Sequence, residues 1–250
     1  MGGADLALQP RAESTRRRIL EAAAKLFGER GYSETGLTDI VEGAGLSTGA
    51  FYYHFTSKEA VASAIIDDFD SKLAETVLAH IDLTAPRVAD LIRSTYAVQA
   101  MLRWDPYIQV GQLLMQAFEQ ISPDSRRVTV DWTEKFVFIV AAAHQAGELR
   151  KDADPFEVGE AIWIAVLGSH VLSVTLRDNP FPRLARVWRF ILGAAVPPEA
   201  LPAYDDLLAE LVGEYAARAE AGPESGSDAD NGAEGDASTP SPDAEAGAPG

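Results

Sequence analysis

The side chains able to do acid–base or metal chemistry are few, and their spacing serves neither. His54, His80, His144 and His170 include no pair at metal-ligand spacing. Ser169 and His170 are neighbours in a helical pattern and point apart, so they do not form a nucleophile and its base. Cysteine is absent, which excludes disulfides, thiol catalysis and thiolate-bound zinc. Gly43-x-Gly45-x-x-x-Gly49 superficially resembles a phosphate-cradling loop. A dinucleotide fingerprint follows a strand, however, whereas TDIVEGA reads as helix, and the spacing differs. What remains is recognition chemistry. The stretch Thr38 to Lys58, TDIVEGAGLSTGAFYYHFTSK, places Ser47, Thr48, Gly49 and Ala50 at a helix start with Phe51, Tyr52, Tyr53 and Phe55 behind them. Small and hydroxyl side chains at such a start suit contact with base edges.

These residues need helices to position them, and the pattern supplies helices nearly throughout, with no convincing alternating strand. The fold class is therefore all-α: an N-terminal three-helix helix-turn-helix unit followed by a larger helical domain. The first helix reads from about Ala12 to Arg30, with Ile19, Ala22, Ala23, Leu26 and Phe27 on one face and Gly31 as its stop. Thr38 is expected to cap a short second helix carrying Ile40 and Val41. Gly43 and Gly45 break it, Leu46 plugs the turn, and a third helix starts near Ser47. Thr56-Ser-Lys-Glu59 matches a capping box and opens a long helix towards His80. Further helices are expected from Pro86 to Asp105, Tyr107 to Gln120, Ser122-Pro123 to Gly147, Asp154-Pro155 to Arg177, Pro182 to Val196 and Pro202 to Arg218. The division expected is a flexible arm over 1–10, the DNA-binding unit over 11–56, a larger helical domain over 57–218, and an acidic tail over 219–250.

Charge looks unfavourable for nucleic acid at first, because the formal net charge is −17. Eight acidic residues and no basic one fall between Glu220 and Gly250, whereas residues 1–60 carry seven Lys or Arg against eight Asp or Glu. Arg11, Arg16, Arg17 and Arg18 cluster with only Glu13 among them, which predicts site-specific binding over general coating of nucleic acid. The tail lacks aromatic and branched aliphatic residues and is expected to stay disordered, as a solubilising segment or a competitor for the basic arm. The start has no apolar stretch of signal-peptide length. Ala161 to Leu176 is interrupted by Ser169, His170, Ser173 and Thr175 and falls short of a membrane span. A cytoplasmic protein without a membrane partner is expected.

Residues 12–60 resemble the DNA-binding domain of the tetracycline-repressor (TetR) family, through LFGERGY and TGLTDIVEGAGLSTGAFYYHFTSKEAV. The resemblance implies a homodimeric repressor that leaves a pseudo-palindromic double-stranded operator when a small-molecule inducer enters the C-terminal domain, which makes residues 57–218 the ligand-binding and dimerisation domain, with no cofactor. Carried over by position, it implies that Thr38 bonds a phosphate and that Ser47, Thr48, Gly49 and Ala50 approach the major groove. Tyr52 and His54 then hold the backbone, Lys58 meets a phosphate at its helix N-terminus, and Arg17 and Tyr53 complete the DNA contacts. Phe51 and Phe55 read as core. Ala50 suits a thymine methyl.

DWTEKF, AIWIAVLGSHVLSVTL and RLARVWRFILGAAVPPEALPAYDDLLAEL further resemble the γ-butyrolactone-autoregulator receptors, a subgroup controlling secondary metabolism. The resemblance implies that Trp132 lines the ligand pocket, on a stripe with Val128, Phe136, Ile139 and Ala143 whose bland reading is core. Gln109, Gln112, Gln116 and Gln120 form a polar stripe that suits either a solvated face or a neutral carbonyl or hydroxyl ligand. The pocket candidates are Tyr96, Trp104, Gln112, Met115, Trp132, Phe136, Trp163 and Ser169. By the family resemblance the helices from Asp154-Pro155 to Arg177 and from Pro182 to Val196 pair across a twofold axis, with Val166, His170, Leu184, Val187, Trp188 and Ile191 as interface residues. Two other readings stand beside this one: a regulator of a drug-efflux gene, told apart by ligand charge, and an all-helical enzyme using the apolar cavity.

Overall fold

Gly31 takes a φ of 85°, a conformation that costs glycine nothing, and so closes α1 (Gly3–Arg30) where the sequence places its stop. The computed structural model describes residues 3–118 and 123–221, and the side chains of 11–117, 128 and 130–219. After α1 come α2 (Leu37–Gly43), α3 (Thr48–His54), α4 (Lys58–Leu78), α5 (Val88–Trp104), α6 (Pro106–Phe118) and α7 (Pro123–Gln145). Then follow α8 (Pro155–Leu176), α9 (Pro180–Ala195), a single 3-10 turn (Pro198–Ala200) and α10 (Leu201–Ala221). The described elements are all helical, as the periodicity predicts. The first helix starts at Gly3 and not at Ala12, running through the segment expected as a flexible arm; Ala4, Leu6, Ala7 and Leu8 are all good helix formers. Gln120, Ser122 and most of the acidic tail lie outside the described residues.

The head is built by α1 to α3. Ile19, Leu20, Ala23, Ala24 and Phe27 of α1 are buried together with Ile40 and Val41 of α2 and with Phe51 and Phe55. Two of the expected caps shift by a residue or two. Gly36, not Thr38, precedes α2, because the Asp39 carboxylate accepts the Gly36 N–H at 2.8 Å and anchors the start there. Ser57, not Thr56, caps α4, its hydroxyl accepting from Ala60 N at 3.2 Å.

The body wraps around α4, whose Val61, Ala62, Ile65, Ile66, Phe69, Leu73 and Val77 are buried. α6 crosses α4 at Gly111, where a Cβ would lie 2.6 Å from the Phe69 Cβ and 3.2 Å from the Ile65 carbonyl. α7 meets α8 at Gly159, where a Cβ would come within 2.7 Å of the Val137 Cα. α8 in turn packs on α9, and α10 closes over α9 and α5. α8 has the length and apolarity of a membrane span, 22 residues at mean hydropathy 1.5. It is nevertheless a bundle helix, held between α7 and α9 with Gly159, Ile162, Trp163, Val166, Ser169 and His170 buried.

Candidate nucleic-acid interface and ligand groove

Recognition needs a rigid helix end with little bulk in front of it. Ser47 caps α3, its hydroxyl accepting from Ala50 N at 3.2 Å, and so holds the end that meets the outside. Ser47, Thr48 and Gly49 are exposed, Ala50 is half-buried, and no atom lies within 4 Å of where a Gly49 side chain would start. Behind them Phe51 is fully buried, so the helix is nailed to the core by its inner face. Tyr52 and Tyr53 are exposed, Tyr53 at 80%, and the Tyr53 ring stands edge-on to His54 at 5.0 Å. Tyr53 therefore lies on the surface of the head with Tyr52. Thr38 is exposed in the first turn of α2, on the same unit, although it is not the cap. The turn itself depends on Gly45, at φ 62°, and on Leu46, whose N–H returns to the Val41 carbonyl at 3.1 Å.

The cations behave differently from the sequence expectation. Lys58 does not present its ammonium outward: Nζ donates to the carbonyls of Tyr32 and Thr35, both at 2.9 Å, and lies 4.2 Å over the Tyr32 ring. Carbonyls just past the end of α1 attract a cation as a phosphate would. Arg18 donates to the Ala44 carbonyl at 2.5 Å while remaining exposed. Arg17 is exposed, with Nε on the Glu21 carboxylate at 2.8 Å. That hydrogen bond and charge hold the Arg17 pKa above its ordinary value. Sequence reasoning missed Thr35, which is buried at 1% and donates to the Gly31 carbonyl at 2.8 Å. Its position beyond a helix end was the available signal.

In the body, an open groove of about 480 Å³ runs between α4 and α7, lined by Ala74, Val77, Leu78, Leu83, Phe138 and Ile139. Trp132 forms its inner wall, and Asp131, Glu134 and Lys135 stand at its rim. The Trp132 indole N–H donates to Asp70 of α4 at 2.7 Å, and the Lys135 ammonium lies 4.3 Å from its ring. Trp163 stacks on Trp132 with ring centroids 6.0 Å apart, and the Phe136 ring lies tilted against it at 6.1 Å.

Of the expected pocket residues, Trp132 alone lines this groove. Tyr96 and Trp104 belong to a separate aromatic cluster with Phe181 and Tyr215, where the Tyr96 hydroxyl donates to the Phe181 carbonyl at 3.3 Å and burial pushes its pKa up. Phe136, Trp163, Gln112, Met115 and Ser169 are buried in the core. The periodicity correctly turned all of these inward, but inward side chains usually fill the interior instead of enclosing a void. The glutamine stripe divides as well: Gln112 is buried, Gln116 is exposed, and Gln109 donates to the Arg103 carbonyl at 2.9 Å.

Residues 19–65 match the family model described as bacterial regulatory proteins, tetR family. The HTH-type transcriptional repressor KstR2 of Rhodococcus jostii is 30% identical over 159 residues, covering 60% of this chain and 78% of its own. The chain belongs to the tetR family. Its similarity also extends to the A-factor receptor protein of Streptomyces griseus, 26% identical over 195 residues, 77% of this chain and 68% of that protein. A crystal structure of a gamma-butyrolactone receptor described as ArpA-like superposes with a TM-score of 0.68 at 28% identity, covering 82% of this chain and 99% of that one. As a tetR-family member the chain is a ligand-responsive transcriptional repressor, and the enzyme reading falls with that assignment.

For this tetR-family chain the residues expected at a dimer interface need correcting. Val166 and Leu184 are fully buried within the single chain, Trp188, His170 and Ile191 are also buried, and Val187 is half-buried. Trp188 instead donates to the Thr95 hydroxyl of α5 at 2.8 Å. The large apolar side chains left exposed on α8 and α9 are Phe156, Ile164, Val171, Leu172, Val174, Leu176 and Phe190. A helix that is apolar all round, as α8 is, gives no phase from which to tell its inner face from its outer one.

Proposed function

We propose that this chain binds a pseudo-palindromic operator as a homodimer and leaves it when a small neutral signalling molecule of γ-butyrolactone, butenolide or furan type enters the α4–α7 groove. Release would switch on secondary metabolism in the cytoplasm of the producing cell. The observation that carries the reading is the placement of Trp132: it walls an apolar groove and is hydrogen-bonded to α4, the helix that begins beside the reading head. A ligand that displaces the Trp132–Asp70 contact biases the tilt of α4, and the tilt sets the separation of the recognition helices. Two heads must sit roughly 34 Å apart to enter successive major grooves, so a modest coupling of about 1–3 kcal/mol weakens operator binding several-fold or more. The exposed apolar ridge of Ile164, Val171 and Phe190 supports pairing of α8 and α9 with a second copy.

Asp131 and Glu134 at the rim favour a second reading, a regulator of a drug-efflux gene induced by an aromatic or cationic drug. A gel shift separates the two. Culture extract containing butyrolactones, or a synthetic acyl-γ-butyrolactone, should dissolve the protein–operator band, whereas a non-intercalating aromatic cation such as tetraphenylphosphonium should not. Trp132→Phe keeps the aromatic stack and loses the N–H; it should hold the operator and respond poorly to the lactone. Loss of operator binding by Trp132→Phe would reduce Trp132 to a core residue and refute the reading.

A further inference from the structure

We propose that the acidic segment 222–250 docks on the reading head of its own chain, its carboxylates pairing with Arg11 and Arg18 of α1 in competition with DNA. The inference rests on the DNA-reading role proposed above. The segment holds seven carboxylates and no Lys or Arg among its 29 residues. It begins where α10 stops, and α10 carries the chain towards the head. Tyr204, in the first turn of α10, lies within electrostatic reach of Glu148 and of Arg87, the residue before α5. At the other end of α10 the Arg218 guanidinium lies 4.9 Å over the ring of Trp104, the last residue of α5. α10 thus runs along α5 in the same direction. The residue after Trp104, Asp105, lines a cleft together with Arg16 and Arg17 of α1. The acidic segment therefore starts beside α1.

Two cations of α1 are unclaimed by any carboxylate. Arg16 faces Glu13 at 3.9 Å and Arg17 pairs with Glu21 at 2.8 Å. Arg11 and Arg18 are exposed and have no ion-pair partner among the described residues. Two helical turns apart, they share one face of α1, about 10 Å from each other along its axis. The four residues of chain from Asp230 to Glu234 reach at most about 14 Å and so can bridge them. From Arg218 to Asp228 the chain reaches at most about 35 Å, ample to pass round α1, a helix about 12 Å across. Arg18 also lies against the α2–α3 turn, donating to the Ala44 carbonyl at 2.5 Å and to that of Gly45 at 3.4 Å. A carboxylate seated on Arg18 stands at the edge of the recognition unit, in the path of a DNA backbone. Exposed ion pairs are individually weak. The tether offsets this by supplying the carboxylates at roughly millimolar effective concentration, and DNA must displace them to bind.

The chain has no cysteine, so Asn231→Cys carries a single nitroxide label in the full-length protein. At about 50 mM salt the label should broaden the amide signals of residues 11–18 in NMR spectra. The broadening should fade at about 1 M salt, where the screening length is about 3 Å, and in the Arg11→Gln/Arg18→Gln protein. Broadening confined to the end of α10, or unmoved by either change, would overturn the proposal. Affinity for a random duplex gives the second readout. Asp228→Asn, Asp230→Asn, Glu234→Gln and Asp236→Asn together should raise it roughly fivefold, and by less than about twofold when Arg11→Gln/Arg18→Gln is already present. An equal gain in both backgrounds means repulsion at a distance, and docking is then refuted. If the wild type binds no duplex at all, the DNA-reading role fails, while the label still decides whether the segment docks.

Discussion

The reading head and the body are both helical, and their helices differ in length and in the contacts that place them. In the head, α2 and α3 have only seven residues each, too few to be stable alone. They are pinned by directed contacts: Thr35 to Gly31, Asp39 to Gly36, Arg18 to Ala44 and Lys58 to Tyr32 and Thr35. In the body the helices are long, and their placement follows from backbone approach at Gly111 and Gly159 and from stacked aromatics. The body also leaves polar atoms buried without partners among the described residues, Gln112 Nε2 and Trp163 Nε1. The short helices of the head thus depend on single directed contacts, and the long helices of the body on close backbone approach.

The largest effect that tests this contrast is expected at Gly159→Val. The new side chain would meet the Val137 backbone, 2.7 Å from its Cβ, and backbone cannot swing aside. Overpacking at such a site costs about 3 kcal/mol, and thermal melting should show Tm falling by several degrees or the chain failing to fold. An unchanged Tm would mean that α7 and α8 separate easily and that close approach does not set the body.

Thr35→Val asks the same of the head. It conserves shape, removes the hydroxyl that donates to Gly31 at 2.8 Å and leaves the helix-end carbonyl short of a donor. The expected loss is about 1–2 kcal/mol, read as a lower urea midpoint for the tyrosine-rich head under hydrogen exchange, with the body's amides unaffected. Protection lost equally in both regions would dissolve the distinction between them.

The same division explains what could be read from the sequence. The head was legible because its determinants are local: Gly31 and Gly45 at left-handed φ, Ser47 as cap, Phe51 on the inner face. What escaped there was the direction of flexible cations, since Lys58 and Arg18 find partners 26 residues away in sequence. In the body, periodicity placed Tyr96, Phe136, Trp163 and Met115 inward and could not say whether inward meant pocket or core. α8 had no polar face to phase it, so Val166, expected at an interface, is buried within the chain, whereas Ile164 is exposed. Trp132 was found through its neighbours in sequence, and the groove it walls comes from residues on α4 and in the loop beyond it, Ala74, Val77, Leu78 and Leu83.

The smallest effect belongs to His170, and it sharpens the comparison from the side of charge. The head places its cations on carbonyls, whereas the body holds this imidazole buried, and burial lowers its pKa from the ordinary 6.5. The unfolded chain then binds a proton more readily than the folded one between the folded pKa and 6.5. Stability from this group is thus complete above pH 6.5 and is lost as the pH falls towards the folded value. Urea midpoints of the wild type should drop on going from about pH 7 to pH 5, and His170→Gln should drop less over the same window. Identical slopes for the two proteins would place His170 in contact with water or with a counter-charge, and the body would then share the head's way of accommodating a cation.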